Sequence, residues 1–393
     1  MRLQIRWLVS GLVLVLVLLL PLPGAMAATS SRDPDAIYES TMSSLKLSEL
    51  EKFKQQIDGE LSPYLNTTSL GQWFNDFIRG KWKFDTGEIT GNLLRFFVKE
   101  VAANLHLLGK LIVLAVIASL LVNLQSSFGG EGVAGISYLV CFLALLAIAL
   151  GSFHYVLGIG YRTVEAMSDF MAGVLPQMMI LVAGMGGINT SAMMFPLLMT
   201  ATTTRANAIQ HVVFPLIILS AVLSLLDLAS NTVKVERLGN LIRSLVGVFL
   251  GLFMTMFIGL LSLKAVYGSV LDKVTLKTTQ FAASLFPVVG KLFSDAVEFT
   301  VGYMVILKQA LSLFGLVIIF GICIFPVLKI GAIVLIYRVC GALVEPLGDS
   351  RTAQALEVMG KHLVLVLASV ASVALMFFIM ITIVASSANP VFR

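Results

Sequence analysis

Six stretches of this sequence consist almost entirely of apolar side chains, and each is about as long as a membrane crossing requires. A helix that spans the hydrocarbon layer needs about 20 such residues. With 58% hydrophobic and 12% charged residues, the chain differs from soluble globular domains. We therefore predict an all-α integral membrane protein. We place the six spans at roughly 107–125, 136–158, 208–228, 244–264, 312–337 and 363–386.

Two further segments, 170–199 and 281–307, are apolar but interrupted. The second contains "FAASLFPVVGKLFSDA" (Phe281–Ala296), and its interrupting residues are Pro287, Gly290, Lys291 and Asp295. Proline removes a backbone donor, and non-helical backbone at membrane depth persists only where protein covers it or water reaches it. Two interpretations stay open, namely a re-entrant pair of half-helices and an amphipathic helix on the bilayer surface.

The amino terminus predicts export of the segment that follows it. Arg2 and Arg6 precede the apolar run "WLVSGLVLVLVLLL", and small residues at 25–27 fit a cleavage site. We predict a secretory signal peptide over residues 1–27, with an uncleaved signal anchor as the alternative. Residues 28–106 carry 9 Lys/Arg and 11 Asp/Glu, which indicates a water-facing, extracytoplasmic helical domain.

Positive charge near the span ends gives an orientation, because Lys and Arg accumulate in cytoplasmic loops. With the amino-terminal domain outside, the cytoplasmic side receives two cationic groups, Lys234, Arg237, Arg243 and Arg338, Arg351, Lys361. Lys273, Lys277 and Lys291 lie in an outer segment and oppose this assignment.

An internal repeat with an offset of 111 residues is predicted. "FMAGVLP" (Phe170–Pro176) and "FAASLFP" (Phe281–Pro287) share the pattern F-x-A-x-x-x-P, and the same offset maps Phe214-Pro215 onto Phe325-Pro326. Parallel and inverted repeats both remain open. The predicted order is the first span and loop (107–135), repeat 1 (136–243), repeat 2 (244–345), and a terminal loop, last span and tail (346–393).

No catalytic, metal or cofactor motif stands out. The histidines (His106, His154, His211, His362) stand alone, and the cysteines (Cys141, Cys323, Cys340) lack metal-ligand or redox spacing. We therefore expect no enzyme activity, no metal and no cofactor. Scattered positive charge gives no support for nucleic-acid binding.

Charge inside the membrane is the remaining functional signal, because an ionisable group at depth is costly unless it faces water or a partner. Lys329 is expected to be the one ionisable group deep in the spans, in a helix or subunit interface or beside an aqueous path. Asp227 lies near a span end, and ion coupling through these groups is the alternative. "GVFLG" (Gly247–Gly251) is a G-x-x-x-G pattern that favours close helix packing.

Several stretches together resemble the stage III sporulation protein AE family of endospore-forming bacteria, in the same order and over nearly all of the chain after the signal peptide. No single stretch is diagnostic. They are "KEVAANLHLLGKLIVLAVIASLL" (99–121), "ALGSFHYVL" (149–157), "MGGINTSAMMFPLLM" (185–199), "VVFPLIILSAVLSLL" (212–226) and "FPVVGKLFSDA" (286–296).

The resemblance implies a multi-pass component of a channel-like complex between mother cell and forespore, in the mother-cell membrane around the forespore. Its implied partners are the other stage III sporulation A membrane proteins and, indirectly, stage II sporulation protein Q, with a homo-oligomer left open. A secondary transporter with its own site at the repeat interface and a non-conducting scaffold are the alternatives.

Candidate conduit or assembly residues come from the interrupted segments and from the charge inside the spans. They are Phe170, Pro176, Phe281, Pro287, Gly290, Lys291, Asp295 and Lys329.

Overall fold

The computed structural model describes residues 86–128, 133–229, 234–284, 287–347 and 349–387. The predicted signal peptide and most of the predicted extracytoplasmic domain lie outside these ranges. The described ranges contain helices and no strand. The helices are α1 (Thr86–Ala103), α2 (Leu105–Phe128), α3 (Val133–Gly184), α4 (Ile188–Ala208), α5 (Phe214–Ala229), α6 (Glu236–Ser284), α7 (Pro287–Val344) and α8 (Ser350–Ser386). A π-helical turn (Ile209–Val213) joins α4 to α5, and a 3₁₀ turn (Glu345–Leu347) follows α7.

Six helical segments are long and apolar enough to cross a membrane, which confirms the predicted all-helical membrane protein with six spans. They are Leu105–Asn123, Ile136–Gly184, Ile188–Ala229, Glu236–Thr275, Met304–Leu347 and Ser350–Ser386. At about 1.5 Å per residue, several of these helices exceed the hydrocarbon thickness of about 30 Å. The bundle is therefore built from antiparallel helices that are longer than one crossing requires.

Each interrupted segment is divided between two long helices, which differs from the re-entrant or surface-lying helix expected from the sequence. Pro176 lies inside α3, and the chain turns only at Gly186, whose φ of 89° is readily adopted by glycine. In the second segment α6 ends at Ser284 and α7 begins at Pro287. Proline is well tolerated in the first turn of a helix, where its missing N–H has no helical partner.

The predicted duplication stays a prediction. Two hairpins follow each other in the chain, the first made of α3 and α4/α5 and the second of α6 and α7. Their proline motifs nevertheless occupy different places, since Pro176 is inside a helix and Pro287 begins one.

The helical segment that begins at Thr86 is interrupted at Asn104, between α1 and α2. The Asn104 side-chain amide donates to the Glu100 backbone oxygen over 2.9 Å. Asparagine side chains that bond to nearby backbone groups compete with helical pairing, which accounts for the end of α1 at Ala103. α1 packs against α7, where the Phe96 and Phe325 rings meet edge to face with centroids 4.8 Å apart.

Asp272 of α6 holds the start of α4. Its carboxylate accepts hydrogen bonds from the backbone N–H groups of Asn189 (2.8 Å) and Thr190 (3.1 Å). The first N–H groups of a helix lack helical partners, and Asp272 supplies them from a neighbouring helix. Gly268, one turn before Asp272, packs closely against Thr190. A Cβ atom added at Gly268 would lie 2.8 Å from the Thr190 Cα.

The close approach at Gly268 gives the first prediction. Gly268→Ala is expected to destabilise the fold by about 1–3 kcal/mol, because the new methyl group overlaps backbone atoms of α4. Gly259→Ala is the matched control, since no atom outside its helix lies within 4 Å of its Cβ position. That variant is expected to be neutral or stabilised by up to about 1 kcal/mol. Thermal unfolding in detergent compares the two, and equal midpoints would contradict the packing described.

Candidate functional site

Arg205 of α4 is a charged side chain buried near the middle of a membrane helix. Its side chain is 1% exposed, and it lies in the apolar segment Ile188–Ala229. The sequence "TTTRANA" (202–208) places it in a short polar stretch between apolar runs. Charged side chains inside the bilayer are rare and are usually functional. We therefore take Arg205 as the first residue of the candidate functional site.

Arg205 joins α4 to α6 and α8. Its Nη2 donates to Ser372 Oγ of α8 over 2.9 Å, and its guanidinium carbon lies 5.0 Å from the centroid of the Phe253 ring of α6. The Ser372 hydroxyl itself donates to Ser369 O, so it accepts from Arg205. The Nε and Nη1 atoms have no hydrogen-bond partner among the described residues, which is costly for a buried charge.

The π-helical turn lies one turn beyond Arg205, and Pro215 accounts for it. Pro215 has no N–H to give to the backbone oxygen four residues earlier, and the Phe214 N–H bonds instead to Ile209 O. This shift leaves Gln210 O without its usual helical partner. The Tyr161 hydroxyl of α3 donates to Gln210 O over 2.7 Å. In return Gln210 Nε2 donates to Tyr161 O over 3.2 Å.

A strip of polar side chains covers the outer surface of α3 and α4 at the depth of Arg205. We call it the polar strip. Its residues recur every three or four positions, so those of each helix share one face, and all are exposed. They are Arg162, Glu165 and Asp169 of α3, which form the charged half, and Thr203 and Asn207 of α4 with His211 of the following π-helical turn, which form the α4 half.

The two halves of the polar strip lie side by side. Tyr161 and Gln210 bond to each other, and α3 and α4 run in opposite directions. Residues 162–169 therefore run alongside 209–202. Thr203 and Asn207 therefore lie on the outward side of α4, whereas Arg205 of the same helix is buried.

The charges of the polar strip form no ion pair with any residue that the structure describes. Arg162 Nε donates to the Gly158 backbone oxygen over 3.3 Å. Glu165 and Asp169 have no hydrogen bond or ion pair with any residue that the structure describes. One cation and two anions thus point outward from the middle of the apolar segment Ile136–Gly184.

The residues singled out from the sequence lie apart from this strip. Phe170 is fully buried in α3, and Lys329 is half-buried in α7, where it has an interaction partner. Gly247 and Gly251 are exposed on α6, and no described atom outside the helix lies within 4 Å of either Cβ position. Packing of these two glycines against another chain stays a prediction. The side chains of Phe281, Pro287, Gly290, Lys291 and Asp295 lie outside the described residues.

Asp227 has a structural task. Its carboxylate accepts from the backbone N–H groups of Val235 (2.8 Å) and Glu236 (3.2 Å) at the start of α6. An acidic side chain stabilises the first turn of a helix through its unpaired N–H groups and its dipole. This contact explains the position of Asp227 without ion coupling.

Lys329 stays the one ionisable group predicted deep in the spans. The structure adds two buried cations that lie just before predicted spans, since Arg205 and Lys308 are each 1% exposed. Lys308 Nζ donates to Ser387 O over 2.6 Å at the end of α8. The run "TATTTRANAIQH" (200–211) was the available signal, but it falls mostly between two predicted spans. Among the described residues, no group of three or more His, Cys, Asp or Glu side chains could hold a metal ion.

Comparison with known proteins gives one family. The profile of the family described as Stage III sporulation protein AE matches residues 68–388. The Stage III sporulation protein AE of Bacillus subtilis (strain 168) is 31% identical over 356 residues, which cover 90% of this chain and 89% of that protein. No solved structure matches the chain significantly.

The burial of Arg205 gives the second prediction. Arg205→Met is expected to be as stable as the wild type or up to about 4 kcal/mol more stable, because an apolar side chain replaces a buried, under-paired charge. Ser372→Ala is expected to destabilise the wild type by about 1–3 kcal/mol, since it removes the one side-chain acceptor for Arg205. In the Arg205→Met background, Ser372→Ala should have little effect. Unfolding in detergent measures this cycle, and strong destabilisation by Arg205→Met would contradict it.

Proposed function

This chain belongs to the stage III sporulation protein AE family and is a multi-pass membrane protein with a role in sporulation, and we propose that it is a non-enzymatic part of a transport complex that links mother cell and forespore. Its proposed location is the mother-cell membrane around the forespore. Its proposed partners are the other stage III sporulation A membrane proteins and, indirectly, stage II sporulation protein Q.

The observation that carries this proposal is the polar strip. Six polar or charged side chains are exposed on the outward-facing surface midway along α3 and at the end of α4 with the π-helical turn. In contrast, α6 exposes apolar side chains over much of its length, among them Val248, Leu252 and Met256. A surface like that of α6 is suited to lipid, whereas the strip is not.

Contact with lipid would be costly for the charged residues of the strip. A charged side chain at the centre of a membrane helix costs about 2.5–3.5 kcal/mol on insertion scales. Arg162, Glu165 and Asp169 would each incur this cost if the strip faced hydrocarbon. A water-filled path removes most of the cost, because water solvates charges and amide groups alike. The strip is therefore suited to water or protein rather than to lipid, and we assign its outward face beside Asn207 to one wall of an aqueous path through the complex.

Other parts of the chain have supporting roles in this proposal. Arg205 ties the strip-bearing helix α4 to α6 and α8 through Phe253 and Ser372, and so sets its position. The tip of the second hairpin remains a candidate for conduit or assembly contacts, through Phe281, Pro287, Gly290, Lys291 and Asp295.

The third prediction separates a conduit from a scaffold. Asn207→Trp adds bulk to the α4 half of the strip at an exposed position, where the fold has room for it. It is expected to lower transfer into the forespore by roughly tenfold or more, equivalent to about 1.4 kcal/mol of added barrier, while the complex still assembles. Forespore gene expression after engulfment reports transfer, and co-purification of the partner proteins reports assembly.

Leu252→Trp is the matched control, because Leu252 is 63% exposed on the apolar face of α6. It is expected to leave transfer and assembly unchanged. Loss of assembly in Asn207→Trp would instead support a non-conducting scaffold. Normal transfer in that variant, with protein levels equal to wild type, would contradict the conduit.

A further inference from the structure

The charged half of the polar strip has no ion-pair partner among the residues that the structure describes. Arg162, Glu165 and Asp169 are exposed on one face of α3, and no carboxylate of the described residues forms an ion pair with Arg162. Water that reaches the α4 half of the strip does not by itself explain why both signs of charge occur on this face of α3.

We propose that a second copy of this chain covers the charged half of the strip, with Arg162 of each copy beside Glu165 of the other. The α4 half, with Thr203, Asn207 and His211, remains open to water next to this contact. The inference rests on the proposed function only in using the same strip, and it adds the partner that the proposed function leaves open.

The spacing of the charges fits this pairing. Two copies inserted into one membrane have the same orientation, so equivalent residues lie at the same depth. Glu165 is about 4.5 Å and Asp169 about 10.5 Å from Arg162 along the helix axis. The Arg162 side chain is long and flexible enough to cover the first of these offsets, and its planar guanidinium matches a carboxylate with two hydrogen bonds.

The arrangement is also self-complementary. In a two-fold contact, residue i of one subunit meets residue j of the other, and residue j meets residue i. A face that carries both an arginine and two carboxylates meets this condition, because each copy brings what the other lacks. A two-fold contact therefore pairs both signs of charge with a single kind of surface, which favours a second copy as the partner.

The test separates the two signs of charge. Arg162→Glu produces a chain whose α3 face is only acidic, and the double variant Glu165→Arg, Asp169→Arg produces one whose face is only basic. Each variant is produced as the full chain with two different affinity tags and purified in mild detergent. Pull-down of one tag followed by detection of the other measures self-association, and light scattering gives the mass of the protein in the complex.

Wild-type chains with different tags are expected to co-purify. The acidic variant with itself and the basic variant with itself are each expected to lose at least tenfold of this signal. The acidic variant together with the basic variant is expected to recover it. Lys264→Glu is the control, since Lys264 is exposed on α6 outside the strip, and it should self-associate like the wild type. Circular dichroism and thermal unfolding of each variant show that the fold is kept.

Several outcomes would overturn the pairing. Self-association of the acidic variant at the wild-type level would show that these charges do not meet between copies. Failure of the acidic and basic variants to co-purify, when both are folded, would do the same. If the variants keep self-association but lose another sporulation membrane protein, the strip binds that protein instead. Normal transfer by Asn207→Trp together with charge-dependent pairing would refute the conduit and leave the pairing intact.

Discussion

Inside a bilayer no water is available to pair with polar groups, and the helices of this chain are arranged around that constraint. Backbone pairing is satisfied within long helices, the longest being α7 (Pro287–Val344). Where a helix begins in the interior, another helix supplies the missing acceptor, as Asp272 does for α4. Where proline removes a donor, a neighbour satisfies the freed carbonyl, as Tyr161 does for Gln210.

The same constraint makes the buried charge of Arg205 and the polar strip stand out from the rest of the helices. α4 presents charge and polarity on two sides at one depth, since Arg205 points into the bundle while Thr203 and Asn207 point outward. Arg205 is held by a hydroxyl and an aromatic face rather than by a carboxylate. The exposed charges of Arg162, Glu165 and Asp169 on α3 lie at the same depth. The described helices satisfy their backbone consistently, yet Glu165 and Asp169 have no partner among the described residues. The proposed assembly would supply water and further protein to these side chains.

The sequence was sufficient for the spans, because apolar length alone sets them, but it was not sufficient for the site. The turn of the first hairpin falls at Gly186, within the glycine-rich stretch "GMGGIN" (184–189) whose composition favours a turn, whereas Pro176 ten residues earlier does not end α3. Arg205 was missed because its helix continues through a polar run that resembles a loop in a hydropathy profile. The role of Asp227 depends on where α6 begins in space, which no local pattern gives. Conversely, the resemblance to the family, which rested on several stretches in order, was confirmed over most of the chain.

Water access to the strip tests the central claim most directly. In a variant with Cys141, Cys323 and Cys340 replaced, single cysteines at 200–211 of α4 and 248–256 of α6 are exposed to a membrane-impermeant thiol reagent in sporulating cells. Labelling at Thr200, Thr203, Asn207 and His211, with Thr202 and Ala206 silent and the outer face of α6 silent, is the predicted result. Labelling absent from all of the α4 positions, or equal on the outer face of α6, would contradict a water-facing strip.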